Sequence, residues 1–254
     1  MNGIIMERYG AVQHIELDAP PVNALTLARY AALTEIFQEL SSRDDVHCVV
    51  LGARGSKAFC AGLDLHEFLA TPVEEDHKRQ EIGLATFRAL QDCPIPVIAS
   101  VNGPALGAGC VLASLCDIRI GSENATFGLP EINVGRCGGA AYVGRLIPQG
   151  SLRRMFFTGE AIDADEAHRI GLLDEVVSSA TLLESSLALA RRIAQKSPLG
   201  LRIGKRALNE CEGLRADEGY AIEQRHSGTL VSTADSREAL RAVVERRPPV
   251  FVGR

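Results

Sequence analysis

The stretch from Cys93 to Cys116 contains no charged side chain, and that constrains folding more than any other feature of the chain. Such a run is long enough to cross a bilayer. Here Asn102, Gly103, Pro104, Gly107 and Gly109 interrupt its middle, and Pro94 and Pro96 stand near its start. Glycine and proline at these positions break a spanning helix, so the membrane reading fails. A buried strand over Ile95–Val101, a glycine-rich bend and a buried helix from about Gly107 to Leu115 fit instead. Two more apolar runs, Val46–Leu51 and Ile118–Ile120, have the same character. Strands apolar along their whole length are covered on both faces. Alternating with helices, they predict an α/β fold with a parallel sheet.

The flanks complete this organisation. Gly3–Tyr9 and Val12–Leu17 read as a hairpin about Gly10, ended by Ala19-Pro20-Pro21. Leu33, Ile36, Phe37 and Leu40 then recur at helical spacing. Helical charge patterning returns from Glu74 to Gln91. After residue 135 strands become rare. Asp163 with Glu166 and Thr181 with Glu184 predict two capped helices, Ser197-Pro198 opens a third, and Asp235 with Glu238 starts the last, which Pro248-Pro249 stops. The expected division is a core over 1–196 and a helical appendage over 197–254 whose apolar positions fold back or meet another subunit.

Charge and cysteine usage exclude some classes. Over 254 residues the net charge is −5, which disfavours nucleic acid as a partner; a polyanionic ligand would need a local basic cluster. The seven cysteines are scattered without a CxxC pair, so neither a zinc site nor a disulfide framework is expected and a reducing cytoplasm fits best. Met1 to Gly10 has no basic stretch leading into an apolar core, so no secretory leader is expected.

The chemistry is sought in two glycine-bearing turns, each following a buried strand and opening a helix. They are Lys57-Ala58-Phe59-Cys60-Ala61-Gly62-Leu63-Asp64-Leu65 and Asn102-Gly103-Pro104-Ala105-Leu106-Gly107-Ala108-Gly109-Cys110. Unpaired N–H groups at a helix start lie at the positive end of the dipole. Two such starts facing one point would hold an oxyanion without a side-chain donor. Each loop alone also reads as a tight turn with close strand–helix packing.

Together these segments resemble the crotonase (enoyl-CoA hydratase/isomerase) family. The resemblance extends through Cys116-Asp117, Phe127-Gly128-Leu129-Pro130-Glu131-Ile132-Asn133-Val134-Gly135 and Gly171-Leu172-Leu173-Asp174-Glu175-Val176-Val177. It implies a spiral of ββα units with a C-terminal helical region serving oligomerisation or as a lid, in trimers or pairs of trimers. It also implies an acyl-CoA thioester substrate, with coenzyme A as part of the substrate and neither cofactor nor metal. By position, the backbone N–H groups of Leu63 and Ala108 become the oxyanion donors and Glu131 the catalytic base. Val22, Ala24, Ala58 and Ala61 become the pantetheine and adenine path. Leu65, Gly107, Pro130 and Gly139 join the substrate-contacting set. Asp64 falls in that set too, although its place reads as a helix cap. Lys57, Arg54, and Lys205 or Arg206 are the candidate phosphate handles.

One departure from the family decides the expected reaction. Family hydratases carry a second glutamate after the second glycine loop, where this chain has Val111, and some relatives carry an aspartate where it has Gly139. One carboxylate facing an apolar wall resembles the family's Δ3,Δ2-enoyl-CoA isomerases, so isomerisation is expected ahead of hydration. Other crotonase-type lyase or hydrolase chemistry using Glu131 alone, and a silent acyl-CoA-binding scaffold, stay open. Arg136 has several possible roles. It either enters the pocket, pairing with Glu131 or a substrate carboxylate, or sits at the surface or a subunit contact, which is the expectation.

Overall fold

The computed structural model describes residues 3–254. Its strands are β1 (Ile4–Tyr9), β2 (Val12–Leu17), β3 (Cys48–Ala53), β4 (Val97–Val101), β5 (Pro104–Leu106), β6 (Ile118–Ser122), β7 (Thr126–Gly128), β8 (Ile162–Asp163) and β9 (Glu175–Val177). The six-stranded sheet runs β1-β2-β3-β4-β6-β9, and the smaller one β5-β7-β8. Only the β1–β2 hairpin in the large sheet is antiparallel; β2 through β9 pair in parallel.

The helices of the core are α1 (Leu27–Ser41), α2 (Leu65–Ala70), α3 (Asp76–Asp92), α4 (Ala108–Leu115), α5 (Ala140–Val143), α6 (Gln149–Thr158), α7 (Ala164–Arg169) and α8 (Leu182–Ala194); the tail adds α9 (Pro198–Cys211), α10 (Ala216–Val231) and α11 (Ala234–Glu245). Alternate side chains of a strand point to opposite faces, which explains the uninterrupted apolar runs. Val12, Cys48, Val50, Ile98 and Ile120 face α8 through Leu182, Leu187 and Ala190. Ile15, Val49, Leu51, Val97, Ala99 and Val101 face the main core. On that side a partly buried hydrogen bond between Thr34 and Thr86 hydroxyls (2.9 Å) ties α1 to α3.

Capping is partly as expected. Asp163 accepts from Glu166 N, and Ser197 from Gly200 N. Thr181 makes no side-chain cap bond. The last helix is capped by Thr233, which accepts from Ser236 N, rather than by Asp235. Two cap-forming residues stand close together there, and burial decides between them. Asp235 is 1% exposed and accepts from Ser197 Oγ (2.8 Å) and Val252 N (2.7 Å), folding the chain's end back onto α9.

The appendage docks on the core of its own chain through α9. Lys205 Nζ donates to Asp117 Oδ2 (2.7 Å) and Ile95 O (3.0 Å), and Asp117 also accepts from Val97 N (2.7 Å). Lys205 is 6% exposed, so the phosphate role expected for it is corrected: its charge is spent inside the fold. Removing one partner of such a pair strands the other's charge. Lys205→Met should therefore cost about 3 kcal/mol, measured as a lower denaturation midpoint at unchanged slope. A midpoint equal to that of the unaltered protein would refute this account of the docking.

Candidate active site

The two glycine turns meet because their backbones pair. An isolated parallel bridge joins Cys60 to Ala105, with Cys60 N donating to Pro104 O (3.1 Å) and Leu106 N to Cys60 O (2.9 Å). The first turn is also held from behind. Ala61 N donates to Val22 O (3.0 Å), Leu25 N to Gly62 O (2.7 Å) and Asp64 N to Leu25 O (3.0 Å). The Asn23 side chain fixes Arg54 O (3.0 Å) and Ala58 O (2.9 Å). A Cβ placed on Gly62 would lie 3.4 Å from Ala108 N, so the two helix-opening turns abut. Asp64 caps α2, accepting from His66 N and Glu67 N (both 3.0 Å).

The second turn also carries Glu131 to this place. β5 pairs with β7 in parallel, Leu106 opposite Gly128, and Gly107 N donates to Gly128 O (2.9 Å). The chain leaves β7 into a short 3-10 turn, Pro130–Val134, which aims Glu131 back at the glycine loop. Its Oε1 would lie 3.0 Å from a Cβ on Gly107, so the carboxyl reaches the glycine loop. Oε2 is buried with no hydrogen-bond partner among the described residues. Burial raises the Glu131 pKa above its ordinary 4.5, because the charged form loses hydration without gaining an ion partner. If turnover requires this carboxylate ionised, kcat/KM should rise with pH through a limb centred above 4.5. A limb at or below that value would show that another group titrates.

The wall opposite is apolar. Val111 is 2% exposed, and a Cβ on Gly139 would come within 2.6 Å of Val111 Cγ2. The two positions where relatives of the resembled family carry a second acid thus touch each other here. Neither brings a charge.

A profile of the enoyl-CoA hydratase/isomerase family matches residues 7–254. The chain belongs to the enoyl-CoA hydratase/isomerase family. It is 35% identical over 251 residues to the short-chain-enoyl-CoA hydratase of Clostridium acetobutylicum, covering 97% of this chain and 96% of that one. It is 38% identical over 247 residues to the putative enoyl-CoA hydratase/isomerase YngF of Bacillus subtilis, covering 94% of each. Its fold superposes on the crystal structure of an enoyl-CoA hydratase from Bacillus anthracis with a TM-score of 0.96 at 31% identity, over 99% of this chain and all of that one. The α/β spiral with a helical C-terminal region is thereby the crotonase fold of this family.

Lys57 is exposed. Arg54 is exposed and pairs with Glu16 (3.0 Å) and Glu7 (3.3 Å). Arg206 is exposed on α9. Arg136 does not pair with Glu131. It reaches Asp76 Oδ2 (2.9 Å) and lies over the Phe68 ring (4.6 Å), tying the Glu131 loop to α2 and α3. Ala58 is buried, Val22, Ala24 and Ala61 are half-buried, and Leu65 is exposed.

Sequence reasoning expected the 67–90 segment to shape the acyl pocket but did not single out its aromatic row. Tyr30 packs edge-on against Phe87 (6.1 Å between centroids), which packs against Tyr142 (5.6 Å). Phe68, Asp76 and Arg79 join Arg136 at its outer end. The one available signal was the spacing of Arg79, Gly83, Thr86, Phe87 and Leu90, which marks a single helical face. Among the described residues no cluster of metal-ligating side chains occurs, and no helix is long and apolar enough to cross a membrane.

Proposed function

We propose that the protein is an enoyl-CoA isomerase that shifts a Δ3 double bond to Δ2, using Glu131 as its only acid–base group. The N–H groups of Leu63 and Ala108 take the thioester oxygen as it gains charge. Each well-aimed donor is worth about 3 kcal/mol to such a step. Glu131 removes a proton from C2, the electron pair moves through the dienolate, and the same carboxyl returns the proton at C4. Atoms and charge balance without any group beyond the thioester itself. One observation carries the reading: Val111 against Gly139, an apolar contact where a water-holding second acid would stand. Excluding water there suppresses addition to the conjugated product.

Hydration, or other lyase or hydrolase chemistry with Glu131 alone, is the second reading, favoured by relatives named hydratases. A silent acyl-CoA-binding scaffold is the third. In the same reading Lys57 holds a phosphate of the coenzyme, and Val22, Ala24, Ala58, Ala61 and Leu65 flank its path. The protein works in the cytoplasm as a trimer or a pair of trimers, whose subunit contacts cover Val243 and Val244 of the 197–254 region, 77% and 82% exposed in the single chain. Presenting 3-enoyl-CoA and 2-enoyl-CoA separately, and following both mass and the ultraviolet absorbance of the conjugated enoyl thioester, decides among the three. Conversion of the first without mass change, and no gain of water by the second, is expected. A gain of water by 2-enoyl-CoA identifies a hydratase, and tight binding with no product from either identifies a scaffold.

A further inference from the structure

We propose that Arg79 and Arg136, at the outer end of the inward face of α3, recognise a carboxylate, so that the preferred thioesters bear a second, free carboxylate on the acyl group. This deepens the acyl-CoA reading above and rests on it. The inward face of α3 is a row running from Leu90 and Thr86, both fully buried, through Phe87 and Gly83 to Arg79 and Asp76. Phe87 touches Tyr30 and Tyr142, and Gly83 looks at Tyr30. The row is thus apolar and aromatic along its inner part and charged at its outer end.

Glu131's own loop closes that end. Arg136 N donates to Glu131 O (2.9 Å), and its guanidinium reaches Asp76 Oδ2 (2.9 Å). Arg79 Nε donates to Asp76 Oδ1 (2.8 Å). Both guanidiniums lie over Phe68, at 4.6 Å for Arg136 and 5.4 Å for Arg79. One carboxylate therefore sits between two arginines, leaving a net positive charge. Arg136 uses one Nη and Arg79 one Nε in these bonds; a guanidinium has five N–H donors in a planar fork suited to carboxylates. The remaining donors have no hydrogen bond among the described residues. The cluster stands near the aromatic row: burial foremost raises the Tyr30 pKa, and the charges of Arg79 and Glu131 both act on the same phenol.

The test is calorimetric binding of saturated, unreactive acyl-CoAs of matched chain length, with and without an ω-carboxylate. A charge-assisted contact predicts about tenfold tighter binding of at least one ω-carboxy ester than of its plain counterpart. That ratio should fall towards one in Arg79→Gln and Arg136→Gln, and rise in Asp76→Asn, which removes the competing internal anion. A merely structural tie between α3 and the Glu131 loop moves both affinities together and leaves the ratio. A ratio of one in the unaltered protein at every length, or one that survives both arginine substitutions, overturns the proposal. Failure of both ester types to bind overturns the acyl-CoA reading itself, and this proposal with it.

Discussion

Glu131→Gln is expected to lower kcat by about a thousandfold or more while leaving KM within a fewfold of its original value. General acid–base catalysis contributes about 10²–10⁴-fold, and the upper part applies because no second acid flanks the site to substitute. Glutamine preserves volume, so thioester affinity, built from backbone donors and the coenzyme path, survives. The same variant carries a second, independent expectation. Burial raises the Glu131 pKa, so the folded state favours the protonated form. Ionising it costs stability, and that cost is absent below the ordinary carboxylate range and fully present above the raised value. The neutral substitute escapes it. Glu131→Gln should melt higher than the unaltered protein at pH 8, with the gap closing as pH falls through the raised pKa. Persistent turnover places the base elsewhere; a lower melting temperature at pH 8 shows that the carboxylate has a partner this account lacks.

Gly109→Ala should destabilise the fold by about 3 kcal/mol and cut turnover about a hundredfold. Its direction is diagnostic, because glycine to alanine within an exposed helix is normally stabilising by about 1 kcal/mol. Here the added Cβ would fall 2.1 Å from Cys60 O and 2.8 Å from Cys60 Cβ. Cys60 O cannot withdraw freely, since it accepts the Leu106 N–H bond that joins the two turns. Overpacking against backbone costs about 1–3 kcal/mol or more, and a displacement near 1 Å at a reacting centre costs about 10² in rate. Urea denaturation and steady-state kinetics measure the two effects. A variant with the original midpoint and rate would mean that the loops are not this close.

The long, periodic parts of the fold were legible in the sequence for a physical reason. Val46–Leu51 and Ile95–Val101 announced buried strands because both faces of each are covered. β5, β7 and β8 were not foreseen: strands of two or three residues show no alternation, and their pairing is fixed by distant partners. Asp64 could be read as a cap because capping is local. Lys205 could not be read as a core residue, since its partner Asp117 lies far along the chain and nothing in α9 itself marks the side chain for burial. Arg54 likewise gained its two acidic neighbours from β1 and β2. Glu131 was found through its family position; its orphaned oxygen and its contact with Gly107 belong to three dimensions alone.

The bridge between Cys60 and Ala105, made by the bonds of Cys60 to Pro104 and Leu106, has an evolutionary corollary. Groups that belong to the peptide linkage cannot be erased by exchanging side chains, and here both sit on loops stitched into one unit. On the proposed reading, drift in residues 111, 136 or 139 can retune what happens to a bound acyl group without dismantling the paired loops. New reactions in such a lineage should therefore arise by repainting the walls around an inherited pair of amides, with glycine at 109 among the last letters to change.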